Sequence, residues 1–132
     1  MTPDVTEADI DRLLALFYSR AKVDPLLGPV FTRAIGTTDD EWAPHLERIA
    51  AFWSSLVRGT GRYQGDPFSA HLHLPGLSPA MFDRWLALFH EACAELFDPA
   101  TARTFTSRAE RIGASLRMGL FERLPARKVS GS

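Results

Sequence analysis

Apolar side chains recur at the spacing of one helix face over most of the chain, which is the main sequence signal for α-helices. The first stripe consists of Ile10, Leu13, Leu14 and Phe17. Three further stripes contain Trp42, His45, Leu46, Ile49, Phe52, Trp53 and Leu56, then Phe82, Trp85, Phe89, Ala92, Cys93 and Leu96, and finally Phe105, Ala109, Ile112, Leu116 and Leu120. The alternating β-branched runs that are typical of strands are missing from the sequence. The pattern therefore predicts an all-α fold.

Local signals mark where these helices begin and end. Thr38 and Glu41 match a capping box, and Ser78 before Pro79 places a capping residue ahead of the proline that a first helical turn favours. Pro44 falls in the second turn of the helix that follows Thr38, where a proline removes a backbone hydrogen bond. That helix is either kinked at Pro44 or regular only beyond it, and the sequence leaves both possibilities open. The stretch 26–31, which Gly-Pro interrupts, is predicted to be an apolar corner without regular structure.

A further helix of one or two turns is predicted between Asp66 and Pro75. Asp66 is a good N-cap, Pro67 suits the first helical position, and Pro75 prevents a long continuation. A helix this short is unstable alone in water, so something else must hold it. His71, near its far end, is the candidate for that attachment.

Composition restricts the class of protein. The 132 residues suit one domain spanning 1–132, in which residues from about 126 to 132 are expected to be a disordered tail. The formal net charge of -1 argues against a nucleic-acid partner, which usually requires a basic face. The single cysteine excludes an internal disulfide. The start lacks an export signal and no apolar run could span a bilayer, so we expect a cytoplasmic protein without a membrane partner.

The sequence contains no recognisable zinc or nucleotide motif. Of the four histidines only His71 and His73 are close together, and the glycine-rich loop at 59–65 lacks phosphate-binding spacing. Cys93 is interpreted as apolar core, and His73 and His90 are expected at the surface.

Four other side chains could form one chemical site. His71 lies on the short helix, His45 lies on an apolar helix face, and Tyr18 and Trp85 each bring a polar tip to an apolar face. A histidine ligand, an apolar pocket and a few hydrogen-bond donors together describe a haem site for small gases. From the residues alone, a helical bundle with structural core histidines is the simpler interpretation, and a haem site is the alternative.

A larger set of residues carries a family resemblance from about Thr6 to Leu120. It comprises Phe17-Tyr18, Asp24, Leu27 to Phe31, Ala34 to Thr37, Glu41-Trp42, His45, Ile49, Phe52-Trp53, Gly59, Tyr63, Gly65, Pro67, His71-Leu72, Leu74-Pro75, Phe82, Trp85-Leu86, Leu88-Phe89 and Arg108-Ala109. With these residues the chain resembles the truncated haemoglobins, and within them the third group. The most specific part of the match is the combination of Tyr18, His45, His71 and Trp85. The absence of a Gly-Gly pair around the short helix also resembles the third group.

The resemblance implies a truncated globin, a two-over-two helical sandwich around haem b. It assigns His71 as the proximal iron ligand and Tyr18, His45 and Trp85 as the distal polar residues. It also assigns a set of haem-contacting side chains, namely Phe31 on the haem face, Ile49 and Trp53 in the apolar wall, and Trp42 and Tyr63. Pro44 departs from the family pattern, and it leaves open how far His45 points inward.

The implied function is binding of oxygen, nitric oxide, carbon monoxide or cyanide at the iron, with Tyr18 and Trp85 donating hydrogen bonds to the ligand. Oxygen transport, nitric oxide dioxygenation and peroxide chemistry are all compatible with this, and the last two need an electron-donating reductase. One alternative is a redox or sensor module in which His45 also ligates the iron. Another is a haem-free helical interaction domain.

Overall fold

The computed structural model describes residues 5–63 and 77–119, and within these ranges the chain is all-helical, without strands. Five helices lie in the described part, namely α1 (Glu7–Ala21), α2 (Gly28–Ala34), α3 (Asp39–Arg58), α4 (Pro79–Leu96) and α5 (Pro99–Arg117). The predicted short helix with His71 lies outside the described residues. None of the helices in the two described ranges is long and apolar enough to cross a membrane.

The capping box predicted at Thr38 is confirmed, and Thr6 caps α1 in the same way. Each threonine accepts a hydrogen bond from the third helical residue, whose side chain returns one to the cap backbone. Ser78 precedes α4 as predicted, but its side chain makes no capping hydrogen bond. α3 is followed by Gly59, whose φ of 70° lies in the left-handed region that favours glycine. At the beginnings of α1 and α3, side chains therefore satisfy backbone groups that the helix itself leaves unpaired.

The structure excludes one of the two possibilities at Pro44, namely that the helix is regular only beyond the proline. α3 is continuous from Asp39 to Arg58, and the Trp42 N–H already donates to the Thr38 carbonyl at 3.1 Å. The backbone bond that Pro44 removes would have reached the carbonyl of Asp40, a solvent-exposed residue of the first turn. Water can hydrate that carbonyl, which explains why the helix tolerates the proline.

The prediction of an irregular corner at 26–31 was wrong. Gly28–Ala34 forms the helix α2, with Pro29 in its first turn. A proline in this position has the φ of a helix and lacks only an N–H that the helix would leave unpaired. Gly28-Pro29 therefore begins a helix here and does not interrupt one.

The helices pack as two pairs that share an aromatic core. α1 contacts α3 and α4, while α5 contacts α4 and α3. The Trp85 and Phe89 rings stack at 4.9 Å between centroids, Phe89 stacks on Trp53 at 5.2 Å, and Trp53 lies 5.8 Å from Phe105. These rings connect α4, α3 and α5 through the centre of the molecule, which gives the side chains at its edge a rigid support.

Cys93 and His90 lie where they were expected, one in the core and the other at the surface. Cys93 is fully buried, as predicted for a core position. His90 is exposed and pairs with Glu110 at 2.9 Å. An exposed pair of this kind contributes little to stability, so His90 is a surface residue.

Candidate functional site

Tyr18 lies near the end of α1 at the centre of a group of rings. Its ring meets the edge of Phe17 at 4.7 Å and that of Phe31, from α2, at 5.6 Å. It is 5% exposed because it follows Leu14 by one helical turn on the buried face of α1. A phenol hydroxyl in such a place is nearly cut off from solvent.

The indole N–H of Trp85, on α4, faces the Tyr18 hydroxyl as a hydrogen-bond donor and acts to lower its pKa. Burial raises the pKa of the Tyr18 hydroxyl well above its usual value, and the Trp85 hydrogen bond opposes that rise only in part. Tyr18 therefore keeps its proton at any physiological pH. With its oxygen accepting from Trp85, its own O–H is directed elsewhere and can donate to a third group.

His45 lies beside these two residues and faces inward. Its ring meets Tyr18 edge-on at 5.9 Å and Trp42 at 5.4 Å. The side chain is half-buried, and its Nε2 atom is sealed from solvent. Because α3 is continuous through Pro44, the proline does not turn His45 away from Tyr18 and Trp42. Tyr18, Trp42, His45 and Trp85 are called the cluster below.

Trp42 forms the outer wall behind His45. It is 2% exposed, and its indole N–H donates to the Gly36 carbonyl at 3.0 Å. The Lys22 ammonium lies 4.6 Å from the ring centre on its other side, within the range of a cation–π interaction. Since its donor is already used, Trp42 can shape the cluster but cannot supply it with a hydrogen bond.

The remaining predicted haem-contacting residues are not gathered at the same point. Ile49 is half-buried and packs against the core one turn beyond His45. Trp53 stacks on Phe89 and reaches the cluster only through the aromatic core. Tyr63 packs edge-on against Phe52 at 5.3 Å, at the far end of α3. The predicted iron ligand His71 lies outside the described residues.

A small apolar cleft of about 60 Å³ opens next to the cluster. Its lining consists of Leu27, Val30, Phe31, Leu77, Met81, Phe82 and Trp85. A wider depression of about 530 Å³ lies at the solvent-facing side of the α1–α2 corner, and its lining contains no aromatic residue. The lining of the cleft is apolar apart from the indole of Trp85, and its lining residue Phe31 packs against Tyr18, so the cleft is the candidate binding site.

The hydrogen-bond donors in the described part of the chain fit a haem whose iron ligand lies elsewhere in the sequence. No cluster of three or more His, Cys, Asp or Glu side chains occurs within residues 5–63 and 77–119, and His90 is engaged by Glu110 at the surface. Burial raises the pKa of the Cys93 thiol to about 12, so it does not offer a thiolate. Candidate iron ligands are then His45 in the cluster and the pair His71 and His73. The apolar walls suit the faces of a macrocycle, and Tyr18 and Trp85 suit a polar ligand on its iron.

Sequence reasoning missed an ion pair between Asp24 and Arg84, neither of which lines the cleft itself, although Arg84 directly precedes the lining residue Trp85. The Arg84 Nε donates at 2.7 Å to the Asp24 carboxylate, which is almost completely buried. Arg84 lies on the polar side of α4 and is 60 positions from its partner, so helical periodicity contains no signal for the contact. Asp24 belongs to the residues that carry the family resemblance, which was the only indication of its importance.

Known proteins resemble the chain over most of its length. It is 33% identical over 118 residues to the Group 3 truncated hemoglobin ctb of Campylobacter jejuni, in a match that covers 89% of this chain and 93% of that protein. The fold matches the crystal structure of a group III truncated haemoglobin from Campylobacter jejuni with a TM-score of 0.86 and 32% sequence identity, over 92% of this chain and 97% of the other. No family model matches the sequence.

Proposed function

Because the chain belongs to the group III truncated haemoglobins, a family of haem-based ligand binders, we propose that it holds haem b through His71 and binds oxygen and related diatomic ligands. The observation that carries this proposal is the convergence of Tyr18, Trp85 and His45 beside an apolar cleft. A haem bound there supplies an iron at which small ligands bind and react. The protein supplies the ligation, the polarity and the exclusion of water.

Tyr18 and Trp85 provide the polar part of the distal pocket. Both are neutral donors, so neither carries a charge that binding would have to desolvate. The Tyr18 proton is firmly held, because burial raises the pKa of its hydroxyl. The O–H of Tyr18 donates to the ligand, and the N–H of Trp85 holds the Tyr18 oxygen in place.

The His45 side chain lies at the entrance of the pocket and controls the entry of ligands. Its ring lies between Tyr18 and Trp42 and is half-buried. A ring at the margin of a pocket can rotate outward without disturbing the core behind it. Removing it widens the entrance, whereas the donors that hold the ligand remain.

His71 would supply the imidazole that binds the haem iron. A metal-bound histidine ordinarily donates its second ring N–H to a carbonyl or carboxylate, which fixes its orientation and increases its basicity. Phe31, Trp42 and Ile49 form the wall nearest to the distal residues. Trp53 and Tyr63 are proposed as more remote haem contacts.

A donor to the ligand that a second donor holds in place slows release of the ligand. Slow release suits chemistry on the ligand better than oxygen transport, so we propose nitric oxide dioxygenation or peroxide reduction as the activity. Both reactions need electrons, which a reductase partner would deliver. Loss of nitric oxide in oxygenated solution, measured with wild type and Tyr18→Phe at equal haem content, tests the activity. Equal rates in the two proteins would contradict a role for the distal donors.

The optical spectrum tests the binding proposal directly. Purified protein supplied with haem should show a strong Soret band and, when ferrous, the spectrum of a five-coordinate high-spin iron. A six-coordinate low-spin ferrous spectrum that reverts in His45→Ala would identify the alternative, a bis-histidyl redox or sensor module. Protein that takes up no haem would contradict the proposal and favour the helical interaction domain.

A further inference from the structure

The apolar cleft lies between two walls that belong to different parts of the chain. Leu27, Val30 and Phe31 form one wall, at the beginning of α2. The other wall is made of Leu77, Met81, Phe82 and Trp85, at the beginning of α4. The separation of α2 from α4 therefore sets the width of the cleft.

α2 needs external support to hold its wall in place. It has only seven residues, and its N-cap Leu27 offers no side-chain hydrogen bond. A helix of this length is unstable by itself. Its position must therefore come from contacts made by neighbouring residues.

Asp24 provides those contacts. One carboxylate oxygen, Oδ2, accepts the N–H groups of Leu26 and Leu27 at 3.0 Å each, and the Asp24 carbonyl accepts the Gly28 N–H at 2.8 Å. Burial by itself would raise the pKa of the Asp24 carboxyl, but these N–H donors and the Arg84 guanidinium outweigh burial and hold the pKa below its usual value. Asp24 is thus a charged group that fixes the first turn of α2 from inside the protein.

The second carboxylate oxygen of Asp24 connects this corner to the other wall. Oδ1 accepts the Nε–H of Arg84 at 2.7 Å, and Arg84 directly precedes Trp85 on α4. The Asp24 side chain is 2% exposed and that of Arg84 is 44% exposed, so solvent is kept from the carboxylate but screens the guanidinium in part. One buried carboxylate therefore binds the beginning of α2 and the helix that carries Trp85.

The α1–α2 corner leaves little room for adjustment. A Cβ atom at Gly28 would lie 2.6 Å from the Lys22 carbonyl oxygen, closer than side-chain carbons come to backbone. The chain is already packed against itself at this point. A change at Asp24 would consequently move the whole of α2 and its wall.

We propose that Asp24 and Arg84 are positioning residues that hold the two walls of the cleft at the separation that retains the haem edge and directs Trp85 toward Tyr18. This inference rests on the proposed haem binding. Neither residue contacts the haem ligand in this arrangement. They act through Phe31 on one side and Trp85 on the other.

A matched control is available on the same helix. Asp83, next to Arg84, pairs with Arg117 of α5 at 2.6 Å, and this ion pair joins α4 to α5 and not to the residues before α2. Arg84→Met and Arg117→Met each remove one guanidinium that binds a carboxylate. Only Arg84→Met removes the contact between Asp24 and α4, the helix that carries one wall of the cleft.

The test measures haem loss from the ferric holoprotein to an excess of a haem-scavenging apoprotein, together with urea unfolding of the apo forms. We expect Arg84→Met to lose haem about tenfold faster than wild type, equivalent to about 1.4 kcal/mol, and Arg117→Met to behave as wild type.

The infrared C–O stretch of the carbon monoxide complex should shift in Arg84→Met and stay unchanged in Arg117→Met, because only the former moves Trp85. Arg84→Lys keeps the charge without the Nε–H donor and should give an intermediate rate, and it replaces Arg84→Met if that variant does not fold.

The outcomes separate the two proposals. Wild-type protein that takes up no haem would overturn the proposed function, and the positioning role with it. Wild-type protein that retains haem, with equal haem loss and equal C–O bands in the Arg84 and Arg117 variants, would overturn the positioning role alone.

Discussion

The indole N–H of Trp85 faces the hydroxyl of Tyr18 as a donor, and we infer that the two residues act in series and not as two independent donors. Trp85 holds the Tyr18 oxygen, and Tyr18 is left to donate its own proton. The order of the two residues has consequences for the kinetics of ligand release.

Tyr18→Phe should speed oxygen release, because it removes the hydroxyl that donates to the ligand and keeps the ring that packs on Phe31. A hydrogen bond to a charged acceptor contributes about 1.5–3 kcal/mol, so release should rise by roughly ten- to a hundredfold. Carbon monoxide is much less polarised, so its release should hardly change. Stopped-flow measurement of both ligands checks this. Slower oxygen release in Tyr18→Phe would reverse the order of the donors and make Trp85 the direct one.

Trp85→Phe should have a smaller effect on oxygen release than Tyr18→Phe, because the Tyr18 hydroxyl is retained. The double variant should release oxygen no faster than Tyr18→Phe alone, since Trp85 acts through Tyr18. If the two effects multiply in the double variant, the residues donate to the ligand independently.

His45→Ala should change carbon monoxide association more than dissociation, because His45 lies at the margin of the cluster between Tyr18 and Trp42. Flash photolysis of the carbon monoxide complex gives both rates. His90→Ala is the matched control, since His90 is an exposed histidine paired with Glu110. Association rates that are the same for wild type and His45→Ala would contradict the proposal that His45 controls ligand entry.

His71→Ala should yield protein that loses haem or retains it only when imidazole is added, because the variant lacks the proposed iron ligand. His73→Ala provides the control at a neighbouring histidine and should keep its Soret band. The opposite result for the two variants would assign the ligand to His73.

Gly36→Ala should lower the free energy of unfolding by about 1–3 kcal/mol, because φ at Gly36 is +121°, a region that side chains avoid. An added Cβ would also lie 2.3 Å from the Glu41 carboxylate, which caps α3. Gly59→Ala is the control, since its φ is also positive but no atom lies within 4 Å of the added Cβ. Urea unfolding should show the larger loss for Gly36→Ala. An equal decrease in the free energy of unfolding for the two variants would mean that the Glu41 side chain moves away from the added Cβ without an energetic cost.

Acid should destabilise the protein partly through Asp24, whose pKa in the folded state is below its usual value. For a carboxyl with a lowered folded pKa, the stabilisation is complete above the unfolded value of about 3.9 and is lost as pH falls through the folded value. Asp24→Asn should therefore be less stable than wild type near neutrality, and the difference should shrink below about pH 4. Urea unfolding of both proteins at pH values from neutrality to below about 4 measures this difference in the free energy of unfolding. Glu95→Gln, at an exposed carboxylate paired with Arg20, should differ little from wild type at any pH.

Much of the fold could be predicted from the sequence, because the signals for helices are local. The apolar stripes, the cap at Thr38 and the Ser78-Pro79 signal place the long helices close to their observed bounds. The buried positions of Phe17 and Phe89 follow from the same periodicity. Two local features were misjudged or left open, the helix α2 and the continuity of α3 at Pro44, because a proline has opposite effects in the first turn of a helix and in its interior.

The sequence by itself determined which residues line the inner faces of the helices, and hence that Tyr18, His45 and Trp85 are candidates for one site. Only the tertiary structure decided how they are connected, with Trp85 donating to Tyr18, Trp42 donating to Gly36, and Arg84 bound to the buried Asp24. Helical periodicity depends on neighbours a few positions apart and is present in any short window of sequence. The direction of a hydrogen bond between two helices depends instead on how those helices cross and on the rotamers that close packing allows, and these exist only once the whole chain has folded.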